Sequence, residues 1–248
     1  MTDRPARVQL LATCLVDQFC PQVAEATVAL LEHEGVAVDV PLDQTCCGQP
    51  AFNGGFVDDA TRMARHTIDV FSKTADPIVV PSGSCADMIV NHFPGLFDAD
   101  DPYAAKAREM AARTYELCQF LTDVLGVTPV AVASGRTLAY HASCHGLRGL
   151  GLRSQPQRLL AQHAGSRVVE LGNSETCCGF GGLFAVKMPG LSGTMLQAKL
   201  DAIEASGADV VVATDVSCLM HISGGLHRRG SAVQVRHIAE VLARGPRE

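Results

Sequence analysis

Four cysteines recur in the same order in the two halves of this chain, and that recurrence restricts the fold more than any other feature. The first quartet is Cys14, Cys46, Cys47 and Cys85, and the second is Cys144, Cys177, Cys178 and Cys218. Equivalent members stand 130, 131, 131 and 133 residues apart. The flanking text repeats as well. VQLLATC (8–14) is echoed by LAYHASC (138–144), GVAVDVPLDQTCCG (35–48) by GSRVVELGNSETCCG (165–179), and DPIVVPSGSC (76–85) by ADVVVATDVSC (208–218). Copies of this size are duplicated lobes, each large enough for its own core, and not turns of a solenoid. The expected division is one cysteine-rich lobe over 1–130 and a second over 131–248, with VTPVAVASGR (127–136) as the linker.

Within each copy, short β-branched apolar runs alternate with longer segments of helical period, the pattern of a mostly parallel sheet covered by helices. Strands are expected near 7–13, 36–41 and 77–81, then near 137–142, 167–171 and 209–213. Helices are expected over 22–34, ended by Gly35, and over 57–73, 154–164 and 193–206, with closing helices at 119–126 and 236–245. PGLFDADDP (94–102) reads as a loop. The fold class is therefore α/β: two duplicated Rossmann-like lobes, expected to be related by a pseudo-two-fold axis.

On this reading every quartet cysteine follows a strand, in the turn leading to the next helix. Ligand crevices of open parallel sheets lie at the carboxyl ends of the strands, so residues far apart in sequence converge there. The first residues do not form an export signal and no run approaches a membrane span, so the expected compartment is the cytoplasm, with no membrane insertion. Ten cysteines in a reducing compartment are not five disulfides. The net charge of −6 and the absence of basic runs argue against nucleic acid as a partner.

Metal ligation accounts for the two quartets. Glycines follow each vicinal pair, at Gly48, Gly54 and Gly55 and at Gly179, Gly181 and Gly182, where backbone must wrap closely around a bulky group. Structural zinc usually takes C-x2-4-C knuckles, and neither quartet has one. A cluster presents several iron vertices, so neighbouring sulfurs can reach different irons. Ligand type thus favours iron-sulfur over zinc, with zinc in one or both sites as the alternative.

The order Cys, Cys-Cys-Gly, Cys, with spacers of 31 and 37 residues and then 32 and 39, resembles the cysteine-rich CCG domain. That domain occurs in the cysteine-rich component of heterodisulfide reductase and in the iron-sulfur components of glycolate oxidase and anaerobic glycerol-3-phosphate dehydrogenase. ATCLVDQFCP, QTCCGQPAFNGG, PSGSCADM, HASCHGLRGLG and ETCCGFGGLFAVK are similar to the LutA/YkgE family of lactate utilization proteins. One departure stands out: the wider motif ends in C-x-x-C, and here Ser82 and Asp215 replace the first of those cysteines. The disulfide-cleaving role is therefore not carried over. The resemblance implies up to two iron-sulfur clusters of the 4Fe-4S type, held by the eight quartet cysteines. It also implies an electron-transfer subunit of an L-lactate-oxidising system, acting with a ferredoxin-like iron-sulfur subunit and a third Lut-type subunit (LutB-like and LutC-like). A heterodisulfide reductase or glycolate oxidase type of redox subunit and a zinc-stabilised scaffold without redox role are the alternatives. No G-x-G-x-x-G fingerprint follows a strand, so a catalytic site for lactate itself is not expected in this chain.

His141 and His145 flank Cys144, and His221 lies three residues after Cys218. Each could hydrogen-bond a cluster sulfur or replace a thiolate, but nine histidines are spread over the chain and none is counted among the ligands. Cys20 and Cys118 are expected to be buried small hydrophobes. Arg148 and Arg153 are expected on a solvated surface.

Overall fold

A computed structural model describes residues 4–127, 135–161 and 167–243. The chain divides into two compact units, Met1–Gly126 and Val127–Glu248. The boundary expected at 130/131 and most of the 127–136 linker lie outside the described residues.

In the first unit, β1 (Arg7–Leu10), β2 (Ala37–Asp39), β3 (Ile78–Val80) and β4 (Thr114–Glu116) form a parallel sheet in the order β2-β1-β3-β4. The register pairs Val8 with Val38, Leu10 with Val79, and Val79 with Tyr115. All three residues of β3 are buried, as a central parallel strand covered on both faces requires. The crossovers contain α1 (Cys14–Phe19), α2 (Pro21–His33), α3 (Gln49–Asn53), α4 (Val57–Phe71), α5 (Gly83–Asp87) and α6 (Pro102–Ala112). A short α7 (Leu117–Gln119) runs on into a π-helical turn at Phe120–Val124, the region expected as a closing helix. Proline at the first position and an Asp101 cap, accepting from Tyr103 N–H at 2.8 Å, start α6 at the last residue of the segment expected as a loop.

The second unit repeats the arrangement. Strands β5 (Thr137–Tyr140), β6 (Arg167–Val169), β7 (Val210–Ala213) and β8 (Gln234–His237) are parallel in the order β6-β5-β7-β8. Its helices are α8 (Gln155–Ala161), α9 (Leu183–Lys187), α10 (Pro189–Ala205), α11 (Val216–Arg229) and α12 (Ile238–Leu242). Residues 162–164 of the helix expected over 154–164 lie outside the described residues. The expected α/β fold of duplicated lobes with mostly parallel sheets is thus observed, with one strand more per lobe than the apolar runs announced. The first residues of the closing segment at 236–245 belong to β8, and the helix begins only at Ile238, with His237 and Glu240 forming its capping box. The core of this lobe gathers Ala139, Leu171, Leu196, Leu200, Ile203, Val211, Ile222 and Leu226, together with Cys178 and Cys218.

Candidate metal centres

The sheet order brings the three cysteine-bearing segments of each lobe together, because β1 lies between β2 and β3, and β5 between β6 and β7. Cys14 is the first residue of α1, directly after β1; Cys46 and Cys47 lie between β2 and α3; Cys85 is the third residue of α5, after β3. Cys144 follows β5 and caps the π-helical turn His145–Gly149, Cys177 and Cys178 lie between β6 and α9, and Cys218 is the third residue of α11. Three of the eight thus occupy the first turn of a helix, not the loop before it. The residues that break the C-x-x-C pattern have a local role. Ser82 caps α5, its hydroxyl accepting from Cys85 N–H, and Asp215 caps α11, accepting from Ser217 N–H and Ser217 Oγ–H. A side-chain oxygen at that position satisfies the open amides of the first turn, which sulfur does poorly.

In each lobe the four sulfurs form a continuous chain of thiol contacts. Cys14 meets Cys46, Cys46 meets Cys47, and Cys47 meets Cys85. In the second lobe Cys144 meets Cys177, Cys177 meets Cys178, and Cys178 meets Cys218. Burial follows the same pattern twice: the second cysteine of the vicinal pair and the last cysteine are buried, and the other two are half-buried. Hydrogen bonds donated by the Cys14 and Cys47 thiols, with one from Gly48 N–H, hold the pKa of Cys46 at about 3. Hydrogen bonds from the Cys144 and Cys178 thiols, and from Gly179 N–H at 3.3 Å, hold that of Cys177 at about 2. The donors Cys14, Cys47, Cys144 and Cys178 are correspondingly pushed up, by those hydrogen bonds and by burial. Four sulfurs this close share too few protons to be content as thiols and too much charge to be content as thiolates. A cation resolves that conflict by displacing the protons.

The turn after each vicinal pair depends on glycine. Gly48 has φ +85° and Gly179 φ +92°. A Cβ on Gly48 would stand 3.2 Å from Met63 Cβ, and one on Gly179 only 2.6 Å from the Ser192 carbonyl oxygen. Helices α4 and α10 therefore press directly on the two cysteine loops, at Ala60 and Met63 in one lobe and at Ser192 and Met195 in the other.

The cysteine-rich CCG domain model matches twice, over residues 8–90 and 138–223, each match spanning one quartet. Lactate utilization protein A of Exiguobacterium sp. is 47% identical over 242 residues, covering 97% of this chain and 98% of that protein. The proteins of the same name from Shouchella clausii and Geobacillus kaustophilus are 46% and 45% identical, each match covering 95% of this chain and 98% of that protein. The chain belongs to the lactate utilization protein A family of CCG-domain proteins. Among solved structures, a hypothetical protein from Helicobacter pylori matches with a TM-score of 0.65 at 11% identity, over 98% of this chain and 50% of that one, a likeness of fold alone.

The two centres of this family member are not surrounded alike. His141 is fully buried, and neither ring nitrogen has an oxygen or nitrogen partner; its hydrogen-bonding neighbour is the Cys218 sulfur. Its ring lies beside Cys218, close enough to help hold the pKa of that thiol down at about 6, the Cys178 contact being the larger cause. Among the described residues His141, Cys178 and Cys218 form a candidate metal group, their ligand atoms all within 4.8 Å of one another. A buried ring nitrogen without a partner costs about 1–3 kcal/mol. Lys199 is also buried, its ammonium donating to the carbonyls of Asn173 and Ser174 just before the vicinal pair. Burial lowers its pKa, and the charges of all four cysteines of that quartet oppose the shift.

His221 and Arg148 lie further out. His221 Nε2 is 3.3 Å from Ser192 Oγ and its ring meets the edge of Phe180, with burial lowering its pKa. Arg148 is exposed, as expected; it also donates to the Glu175 carbonyl at 2.9 Å, and its charge acts on Cys144. Arg153 is exposed, 3.9 Å from Glu175. Cys118 is fully buried in α7, as expected, whereas Cys20, expected buried, is half-buried at the junction of α1 and α2. A signal for His141 did exist in the sequence: it occupies the position of Leu11 in the other copy, an imidazole where the repeat otherwise places a core aliphatic.

Around the first centre Asp17 lies beside Cys14 and Cys46, and Arg62 and His66 line a neighbouring hollow with Thr45. A cavity of about 300 Å³ opens beside Cys14 and Cys46, lined also by Thr13, Asp17, Leu42 and Gln44. Donor chemistry therefore fits a thiophilic metal group in both lobes, with four sulfurs in the first and four sulfurs plus an imidazole in the second.

Proposed function

We propose that the chain is an iron-sulfur electron-transfer subunit of a multi-subunit system that oxidises L-lactate to pyruvate. In this reading each quartet, Cys14, Cys46, Cys47 and Cys85 or Cys144, Cys177, Cys178 and Cys218, holds one 4Fe-4S cluster. The observation that carries it is the four-sulfur convergence built twice from one topology. A bound cluster would supply one-electron chemistry at a potential set by its surroundings. The protein's own contribution is to fix the sulfurs at the strand ends, keep water from Cys47, Cys85, Cys178 and Cys218, and leave the half-buried cysteines as the accessible edge. The lactate role is carried over from the names of relatives 45–47% identical along nearly the whole chain. The partners in this reading are a ferredoxin-like iron-sulfur subunit and a third Lut-type subunit, which hold the substrate chemistry. Among the described residues no helix is long and apolar enough to cross a membrane.

Anaerobic purification followed by assays of iron, acid-labile sulfide and zinc, with absorbance and electron paramagnetic resonance, tests the cofactor. Iron and sulfide in equal amounts are expected, and colourless protein with stoichiometric zinc would overturn the redox role. Deletion of the gene in a strain without another lactate dehydrogenase should abolish growth on L-lactate, and normal growth would refute the substrate. Zinc in the second lobe is the alternative that one observation favours, because an imidazole beside thiolates is a zinc donor set.

A further inference from the structure

We propose that His141 is a direct ligand of the second lobe's metal centre, so that this centre draws its ligands from five protein donors and the first from four. The inference rests on the reading that the quartets bind metal, and goes beyond it by adding a nitrogen donor to one site only. The two lobes supply an internal control. Leu11 N–H donates to the Val79 carbonyl at 3.0 Å, and His141 N–H donates to the Val212 carbonyl at 2.8 Å, the same bond one residue beyond β1 and β5. Both side chains are fully buried at that shared backbone position. Leucine there needs no partner. Histidine at the same depth has two nitrogens that do, and the protein gives them no oxygen or nitrogen partner. What it does supply is Cys178 and Cys218, both buried, with sulfur and nitrogen ligand atoms inside a 4.8 Å span. A neutral imidazole donates one nitrogen lone pair to a metal and keeps its proton on the other nitrogen, so ligation needs no redox step; at a four-ligand centre it takes the place of one cysteine, which keeps its thiol proton.

Among the described residues, the two other histidines near the quartet lack that geometry. Nε2 of His221 is engaged with Ser192. His145 is only half-buried and lies outside the candidate metal group. The same class of metal that the thiolates select, iron or zinc, accepts imidazole nitrogen.

The test uses the full-length chain carrying 15N-labelled histidine, with Cys46 and Cys47 both changed to serine so that only the second centre remains. For an iron centre, pulsed electron paramagnetic resonance of the reduced protein should show one strongly coupled nitrogen; for zinc, X-ray absorption at the zinc edge should show imidazole scattering beside sulfur. That signature should disappear in His141→Leu, which installs the residue the other lobe already tolerates. In His141→Cys it should also disappear while metal content is retained. Metal bound without a nitrogen signature, or a signature unchanged in His141→Leu, overturns the inference and leaves the cluster reading standing. Absence of iron and zinc from the wild-type chain overturns both.

Discussion

The two lobes share a strand order, a cysteine order and even the depth to which each cysteine is buried, yet they differ in almost every nitrogen base around the sulfurs. At matched positions the first lobe has Leu11, Gln18, Thr67 and Met88, and the second has His141, Arg148, Lys199 and His221. The pairing of Thr67 with Lys199 follows from the helices that press on the loops, since Ala60 and Met63 contact Gly48 as Ser192 and Met195 contact Gly179. Each lobe also has an acid near its sulfurs, Asp17 on the cavity wall beside Cys14 and Cys46 in the first and Asp215, whose charge acts on Cys218, in the second. Duplication preserved the scaffold that places thiolates and diversified the groups that set their electrostatics. In the cluster reading proposed above, reduction adds negative charge, so the second site, with more nitrogen bases beside its sulfurs, is expected at the higher potential.

The most severe way to break the comparison is to delete one centre. Changing Cys46 and Cys47 to serine, or Cys177 and Cys178, should each reduce bound metal to about half and leave the other lobe loaded, because each lobe has its own core. Loss of all metal from either double variant, measured by metal and sulfide assay, would show that the centres are interdependent.

A smaller but still large effect is expected at the glycines. Both Gly48→Ala and Gly179→Ala force a left-handed backbone on alanine, at a cost of about 1–3 kcal/mol. Gly179→Ala should cost more, since its Cβ would meet a carbonyl oxygen at 2.6 Å, against a Met63 methylene at 3.2 Å for Gly48→Ala. Denaturant midpoints in the two variants measure the difference, and equal losses would mean the loops are equally tight.

Tuning should be subtler. Lys199→Met removes a buried positive charge while keeping the stem, and should move the second centre's reduction potential to more negative values by on the order of tens of millivolts, with the first unchanged. Arg148→Gln installs the residue found in the first lobe. Because Arg148 is exposed and screened, its shift should be smaller, about 10 mV or less in physiological salt. A redox titration followed by electron paramagnetic resonance reads both, and an Arg148→Gln shift larger than that of Lys199→Met would invert the assignment of the buried lysine as the main charge.

Among the described residues, six of the eight strands were legible because each is a short β-branched or apolar run. Strands β4 and β8 were not, since TYE and QVRH carry no such run and are held by pairing with β3 and β7. Helix α11 was hidden by its Gly224-Gly225 pair. That pair looks like a breaker, but a Cβ on Gly225 would lie 2.7 Å from Leu200 Cδ1, so glycine there is what lets α11 approach α10. The cysteine quartets were readable from spacing alone, and the structure brings each set together.

The sequence by itself determined that there are two lobes and which eight sulfurs form two sets, because a duplication keeps its spacing when everything between drifts. Only the tertiary structure decided what else reaches those sulfurs. His141 is legible as one histidine among nine, and Lys199 as one residue of a helix; neither announces burial beside a thiolate. Strand ends and a packed helix bring them there, and tertiary proximity in a low-dielectric interior, not residue type, sets a nitrogen base beside the sulfurs.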